Sequence, residues 1–547
     1  MLINNRSNEI KIRREIKQNK IDEKICNTVD RVDISKETSK PLDITLDIDG
    51  KKLRKTITGY VSDKTLTLNI KHTNDAHGNM PSMANLIRPE EFWVDAGDAW
   101  QGYDFHSIIS GGREETEIMN QRDCDLAVPG NHFYDDGGTV SGKKLVDMAE
   151  FPYLSANVKG MEPYAIVEIE GIKIGIAGVR TTRKKYSMVD PSKVKDLEMT
   201  DPVESVKKSV EELKAKGIKN IIVLSHLGLE KDETHQDLTV SDKELAARVP
   251  GIDLIIGGHT HTPTKEKIYV DGTRIVHAGI EGHKDAKKDK IYVGEIALNF
   301  DRASGKITDI SHSLLPVNRD SELSEDIKKI KDVYLQEEKK EREEKVGYAG
   351  GKLIHELKTP VDSTLGNMMT DALREETGAD VALIDSNLFS TERINPPPFS
   401  SLPEGEITMK DIMETSLWLG KSQEQTVETW NVNGKTIKSL LEDGVNRLLS
   451  SKKNEGLYQV SGLKMAYDRK RPDGDRITEV FIGDKPLRSD KTYKFTTSFY
   501  NGNWNPILSG RDEAQVTDGR KIRHILADYI KSHSPVQPVQ DGRIRTV

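Results

Sequence analysis

The sequence predicts an α/β protein: a layered sandwich of two β-sheets with helices outside, followed by a smaller α+β domain. Three observations lead there. Strand-like apolar runs alternate with helical stretches over the first 300 residues or so and end in a purely strand-like stretch. Polar clusters of Asp, Asn, His and Gly recur straight after those runs, as they do at the ligand-binding edge of open sheets. At 547 residues the chain is also too long for a single core, so two or three domains are expected.

Residues 1–39 are polar and charge-rich and read as a flexible tail or a short solvated helix. Apolar residues alternate through Asp43–Lys71 around Asp49-Gly50, which reads as a hairpin leading into the strand Leu66–Ile70. Residues 1–65 are therefore taken as an N-terminal extension with a possible hairpin. Strand-like runs follow at Phe92–Asp95, Leu126–Val128, Ile172–Val179, Ile221–Leu224, Leu254–Ile256, Ile275–Ala278 and Ile291–Asn299, with a helix over Val203–Lys216. Together, residues 66–318 form the first expected domain. Ser321–Lys345 is dense in Glu and Lys, with Leu323, Ile327, Ile330 and Tyr334 at helical spacing, and reads as an exposed helix that Gly347–Gly351 would end. It gives a charged linker over 319–351. The second domain, 352–547, opens with a helix at Thr364–Thr377, stopped by Gly378, and continues into the strand Ala379–Ile384.

A net charge of −8 argues against a nonspecific grip on nucleic acid, which needs clustered Lys and Arg. No apolar run approaches the roughly 20 residues needed to span a membrane. The start, Met1–Arg6, lacks the apolar core of a signal peptide. The expectation is a cytoplasmic protein or one exported by a non-classical route, with the N-terminal extension a partner-binding or export element. The two cysteines, Cys26 and Cys124, are read as free thiols.

The chemistry sits in five clusters that follow apolar runs: Asp75-Ala-His77, Gly97-Asp98, Gly130-Asn131-His132, Ser225-His226 and Gly258-His259-Thr-His261. One Asp-x-His is a chance event on any surface turn. Five such clusters in sequence, several beside glycine, point to a metal site. Carboxylate, amide oxygen and imidazole suit a hard or borderline divalent ion, and thiolate is absent. Two ions about 3.5–4 Å apart need a shared ligand, for which an ionised Asp is suited. That bridge is assigned to Asp98. Asp75, His77 and one of the late histidines complete one ion's shell; Asn131, His226 and the other late histidine complete the second. The neighbouring glycines let the backbone turn sharply and substrate approach closely.

These residues resemble the calcineurin-like metallophosphoesterase pattern. His72–Asp75, Gly130–Asp135, Phe151–Val158 and Val249–His261 are similar to its bacterial 5'-nucleotidase and UDP-sugar hydrolase branch. Leu365-Gly-Asn367, Asp371-Ala372 and Gln459–Leu463 resemble that branch's C-terminal substrate domain, so the likeness spans roughly 66–547. It implies a four-layer metallophosphoesterase sandwich followed by a 5'-nucleotidase-type C-terminal domain. The cofactors expected are two divalent ions, zinc or manganese, both of which a His-rich site with carboxylates accepts. Such ions would lower the pKa of a bridging water, and the hydroxide would attack phosphorus in line. His132 stands beside a ligand but is expected to face the substrate. Asp135, three residues on, is placed to orient it, with Asp136 the competitor. The resemblance gives this pair the stabilisation of the transition state and the leaving oxygen. Phe133 departs from the branch, which commonly carries Glu there.

In the resembled domains, two aromatic rings hold the base and arginines hold ribose and phosphates. The candidates are Trp418 and Tyr500 for the rings, with Asn387 and Arg393 salvaged from an eroded segment. Stacking of this kind accepts any base, so it selects nucleotides as a class. The expected function is hydrolysis of nucleotide phosphate esters. The alternatives are a hydrolase of sugar nucleotides, cyclic nucleotides or another phosphoester, and a non-catalytic scaffold.

Overall fold

The computed structural model describes residues 38–101, 105–135, 138–182, 194, 196–231, 240–281, 290–389, 399–415, 426–450, 455–498, 505, 507–508 and 514–547. Residues Ser39–Val547 form one compact unit.

Fourteen strands of the first part belong to one hydrogen-bonded sheet. In chain order they are β1 (Thr38–Ile48), β2 (Lys51–Val61), β3 (Thr65–Thr73), β4 (Phe92–Asp95), β5 (Leu126–Ala127), β6 (Tyr164–Ile169) and β7 (Ile172–Arg180). Then come β8 (Asn220–His226), β9 (Leu254–Gly257), β10 (Ile268–Val270), β11 (Thr273–His277), β12 (Gly279–Glu281), β13 (Lys290–Asp301) and β14 (Lys306–Pro316). The path runs β10-β11-β9-β8-β7-β6-β1-β2-β3-β13-β12, with β14 on β13 and with β4 and β5 beyond β3. The two packed layers expected from the sequence are two arms of this path. Leu66, Leu68, Phe92 and Leu126 from one arm share a buried cluster with Ile222, Leu224, Leu254 and Ile256 from the other. The alternating stretch around Asp49-Gly50 is the hairpin β1–β2 that stitches the arms together, β1 pairing with β6 and β2 with β3.

β7, β8 and β9 run parallel and are buried on both faces, which explains their nearly unbroken apolar runs. Ile222 and Leu224 face the other arm, whereas Ile221 and Val223 join a cluster with Val203, Val206, Val210 and Leu213. Those three valines and one leucine form the buried stripe of the helix Pro202–Ala215, which starts on a proline behind the N-cap Asp201, whose carboxylate accepts Glu204 N–H at 2.9 Å. Cys124 is a buried free thiol, and Cys26 lies outside the described residues.

The charged helix spans Glu325–Arg342, shorter than expected and less exposed. Ile327 and Tyr334 are buried, with Leu323 and Ile330 packed beside Ile327, and Arg122 pairs with Asp326 at 3.0 Å. Gly347 does not end the helix. It lies inside a strand, Lys345–Ala349, which pairs with Gly405–Thr408.

Beyond it, a five-stranded sheet runs in the order Gln459–Ser461, Val381–Ile384, Thr492–Ser498, Thr426–Asn433, Ala514–Lys521. Ala382 and Ile384 pack towards the helices Thr364–Thr377 and Ile522–Ser532, while Val381 and Leu383 pack towards Gly434–Leu449. The helix Thr364–Thr377 ends as expected at Gly378, which is left-handed at φ +58°. No helix among the described residues is long and apolar enough to cross a membrane.

Candidate metal centre

The strand ends of β3, β4, β8 and β9 and the turn after β5 bring the five sequence clusters to one place. Two groups of convergent donors result: Asp75, His77 and His261, and Asp98, His226 and His259. The two late histidines, left open by the sequence, thus divide, His261 joining Asp75 and His77, and His259 joining Asp98 and His226.

The hydrogen bonds behind these side chains fix which atoms face inward. His226 Nδ1 lies 2.7 Å from the Ala96 carbonyl, to which it donates. Its Nε2 then faces Asp98 Oδ2 at 3.0 Å and Asn131 Oδ1 at 3.1 Å. In the same way His77 Nδ1 donates to the Gln101 carbonyl at 2.8 Å, leaving Nε2 at 3.1 Å from His261 Nε2. Asp75 Oδ1 lies 3.5 Å from His261 Nε2 and 3.9 Å from both His77 Nε2 and His226 Nε2. Lone pairs converging at these separations repel unless a cation or a proton lies among them. The donor set, imidazole and carboxylate oxygen without sulfur, therefore fits divalent ions.

The electrostatics carry the same message. Burial opposes ionisation of Asp98, but His226, His132 and His77 outweigh it and hold the carboxyl well below the ordinary range. Burial also opposes charge on Asp75, and His261, His226 and His77 again prevail. Burial pushes His226 down, yet Asp98 and Asp75 raise it to about 9. Burial and the nearby His261 lower His77 to about 4. Two ionised carboxylates are thus buried with one histidine inclined to hold a proton that a metal ion would replace.

The backbone is wound tightly here. Asp75, His77, Asp98, His259 and His261 all have positive φ, between 44° and 80°. Such left-handed turns are uncommon for residues with a Cβ. Asp75 is held in its turn by two N–H contacts from His259 at 2.8 and 3.0 Å and by Asn74 Nδ2 at 2.7 Å. Gly130 leaves room for Asp98: a Cβ there would stand 1.8 Å from Asp98 Oδ1. Gly130→Ala is therefore expected to displace the carboxylate and lower metal content and turnover by at least about tenfold, in line with lost support of a ligand. Metal analysis of the purified variant checks it, and full occupancy would show that Asp98 is not fixed by this contact.

His132 and Asp135 lie on one short turn, Asn131–Tyr134, capped by Asp135. His132 N–H donates to Asp98 Oδ1 at 3.0 Å, and His132 Nδ1 donates to Asp135 Oδ2 at 2.5 Å. Burial lowers the basicity of His132, but Asp135 and then Asp98 raise it above its ordinary value. Phe133 packs in an aromatic cluster with Trp100, Tyr134 and Tyr153, its ring 4.8 Å from that of Tyr153. The departure from Glu at this position puts an apolar wall behind His132.

Trp418, Tyr500, Arg393 and Asp136 lie outside the described residues. Asn387 sits on the turn Ser386–Phe389 after the strand Val381–Ile384. The C-terminal motifs serve as internal ties. Gln459 Oε1 accepts Ser363 N–H at 2.8 Å, Asn367 Nδ2 donates to Asp362 at 2.8 Å, and Arg543 pairs with Asp371 at 2.8 Å.

Sequence reasoning passed over Asp95 and Arg180. Asp95 accepts from Thr73 Oγ1 at 2.6 Å and from Gly97 N–H at 2.9 Å, so it shapes the turn that presents Asp98. Each closes an apolar run at a strand end, the same position that marks His226.

Comparison with known proteins agrees with this geometry. Residues 68–263 match the family described as calcineurin-like phosphoesterase, and residues 351–506 match the 5'-nucleotidase C-terminal domain. The chain is 27% identical to the trifunctional nucleotide phosphoesterase protein YfkN of Bacillus subtilis, over 88% of its own length and 35% of that protein. It therefore spans about a third of that relative. It is 26% identical to a 5'-nucleotidase of Vibrio cholerae, over 87% of this chain and 92% of the other. The fold is similar to the Haemophilus influenzae NAD nucleotidase structure, with a TM-score of 0.53 at 18% identity, covering 88% of this chain and 99% of that one. Calcineurin-like metallophosphoesterases use a dinuclear divalent metal centre, and two donor groups fit for one stand at the strand ends of this chain. With both halves matched in order, the chain belongs to the metallophosphoesterase family that joins a calcineurin-like phosphoesterase domain to a 5'-nucleotidase C-terminal domain.

Proposed function

We propose that the protein hydrolyses the phosphate esters of nucleotides, with two divalent ions, zinc or manganese, as its cofactors. The observation that carries the reading is that two neighbouring donor groups, Asp75/His77/His261 and Asp98/His226/His259, stand beside a His132–Asp135 hydrogen bond of 2.5 Å. In this reading Asp75, His77, Asp98 and His261 hold one ion, and Asp98, Asn131, His226 and His259 hold the other. When bound, such ions neutralise phosphoryl charge and acidify a water.

The chain's own residues do the rest. Asp98 accepts the backbone N–H of His132, so the ligand and the acid are locked in one unit. Asp135 accepts the hydrogen bond of His132 Nδ1–H and leaves Nε2 to meet the substrate. With its basicity raised above the ordinary value by Asp135 and Asp98, His132 is suited to give a proton to the departing oxygen. Substrate choice falls to the C-terminal half, where Asn387, Arg393, Trp418 and Tyr500 are the candidates for ribose, phosphate and base. The nucleotide assignment also draws on the Vibrio and Bacillus relatives, both named for nucleotide substrates.

The test is product release from nucleoside mono-, di- and triphosphates, UDP-glucose, cyclic nucleotides and an aryl phosphate, with manganese or zinc and a chelator control. Chelator-sensitive turnover of a nucleotide is expected. Turnover of the aryl ester alone would remove nucleotides from the assignment, and silence across the panel with both ions bound would leave a scaffold.

A further inference from the structure

Arg180 is the last residue of β7 and is 2% exposed. Its register places it opposite His226 on the neighbouring strand, with Ile176 opposite Ile222 and Gly178 opposite Leu224. Successive residues of a strand face opposite sides of a sheet. Ile174, Ile176, Ile222 and Leu224 all belong to the cluster between the two arms, while Val179, Ile221 and Val223 belong to the outer one. Arg180 and His226 therefore leave their strands on the same, inner face. Thr181 N–H bonds the His226 carbonyl at 3.0 Å, so the pairing persists past the strand end.

The guanidinium lies over the ring of Tyr134, 5.1 Å from its centroid, on the turn that carries Asn131 and His132. Tyr134 also makes a side-chain hydrogen bond to it, and the nearby carboxylates whose charges reach it are Asp98 and Asp135. Among the described residues, Nε and Nη1 are buried and meet no acceptor. A guanidinium has five N–H donors and no means of shedding its charge. Leaving such donors unmatched in the interior is costly, so an acceptor is called for. The described residues around it supply charge but not enough acceptors. Two divalent ions would also draw on the negative charge of Asp98, leaving the inner face with a surplus of positive charge. An anion restores the balance.

We propose that Arg180 is an anion-binding residue of the active site, whose free N–H groups take non-bridging oxygens of the phosphoryl group. It would make this part of the site selective for the charged end of the substrate whatever lies on the other side of the ester. The inference rests on the phosphoester reading given above.

The test uses the full chain loaded with manganese and three readouts: metal content, calorimetric binding of inorganic phosphate, and kcat/KM on an aryl phosphate. R180M is expected to keep both metal equivalents and to bind phosphate about 10- to 100-fold more weakly, the range of one or two charge-assisted hydrogen bonds. A matching fall in kcat/KM is expected. R180K should recover part of the loss, since Lys restores the charge but not the planar fork. If R180M does not fold, R180Q carries the same expectation with a polar, uncharged side chain. Unchanged phosphate affinity in the folded neutral variant overturns the proposal. Should the wild type cleave no ester while R180M still loses phosphate affinity, the hydrolase reading fails and the anion site stands.

Discussion

Asp98→Asn is expected to end turnover and to release metal. The substitution preserves shape, so the amide oxygen still accepts the His132 N–H that Asp98 Oδ1 accepts at 3.0 Å. What changes is charge. Asp98 Oδ2 faces His226 Nε2 at 3.0 Å, and the neutral amide would leave the group of Asp98, His226 and His259 without its carboxylate and, in the bridging assignment proposed above, the other group without a shared oxygen. Loss of both ions removes several kcal/mol of charge stabilisation, which corresponds to a fall of about 10³-fold or more in kcat/KM. Elemental analysis should show fewer than two equivalents bound. A variant that keeps both ions and wild-type activity would remove Asp98 from the bridging position.

His132→Asn separates the acid from the ligands. His132 belongs to neither donor group, and its Nδ1 is already committed to Asp135, so metal content should stay close to wild type. The chemical step should slow by about 10²–10⁴-fold, the usual contribution of a positioned general acid. Asp135→Asn should cost less, because the amide still occupies the space but no longer selects the tautomer or holds the imidazolium. Esters with good leaving groups should be the least affected, since they need no proton. A loss of metal from the His132 variant would mean that the imidazole is a ligand.

The sites that could be read in the sequence are those that a strand end exposes. Asp75, Asp98 and His226 follow apolar runs that became β3, β4 and β8, and periodicity alone locates such ends. The split between His259 and His261 could not be read. They are two residues apart on one left-handed turn, and only their distances to Asp75 and to the Asp98 group distinguish them. Asp95 and Arg180 escaped because one polar residue closing an apolar strand looks the same whether it meets solvent or a buried partner. Gly347 was misread for a related reason: glycine that stops a helix and glycine that packs within a strand leave the same mark in a sequence. The C-terminal motifs were legible as motifs but not as ties. Nothing local marks Asp371 as the partner of Arg543, which lies far along the chain.

The left-handed turns at the ligands have a consequence for how the protein endures scarcity. Each residue with a side chain held in such a turn costs on the order of 1–3 kcal/mol, and five such residues meet at one end of the sheet. Metal ions that bind only the folded arrangement add stability in proportion to the logarithm of their free concentration. In the di-metal reading, supply of the ion would govern persistence as well as activity: starved of it, the end of the sheet that carries the donor groups should loosen first while the β1–β2 hairpin holds. Hydrogen exchange with and without chelator would reveal that order, and equal protection throughout would show that the turns are held without the ions.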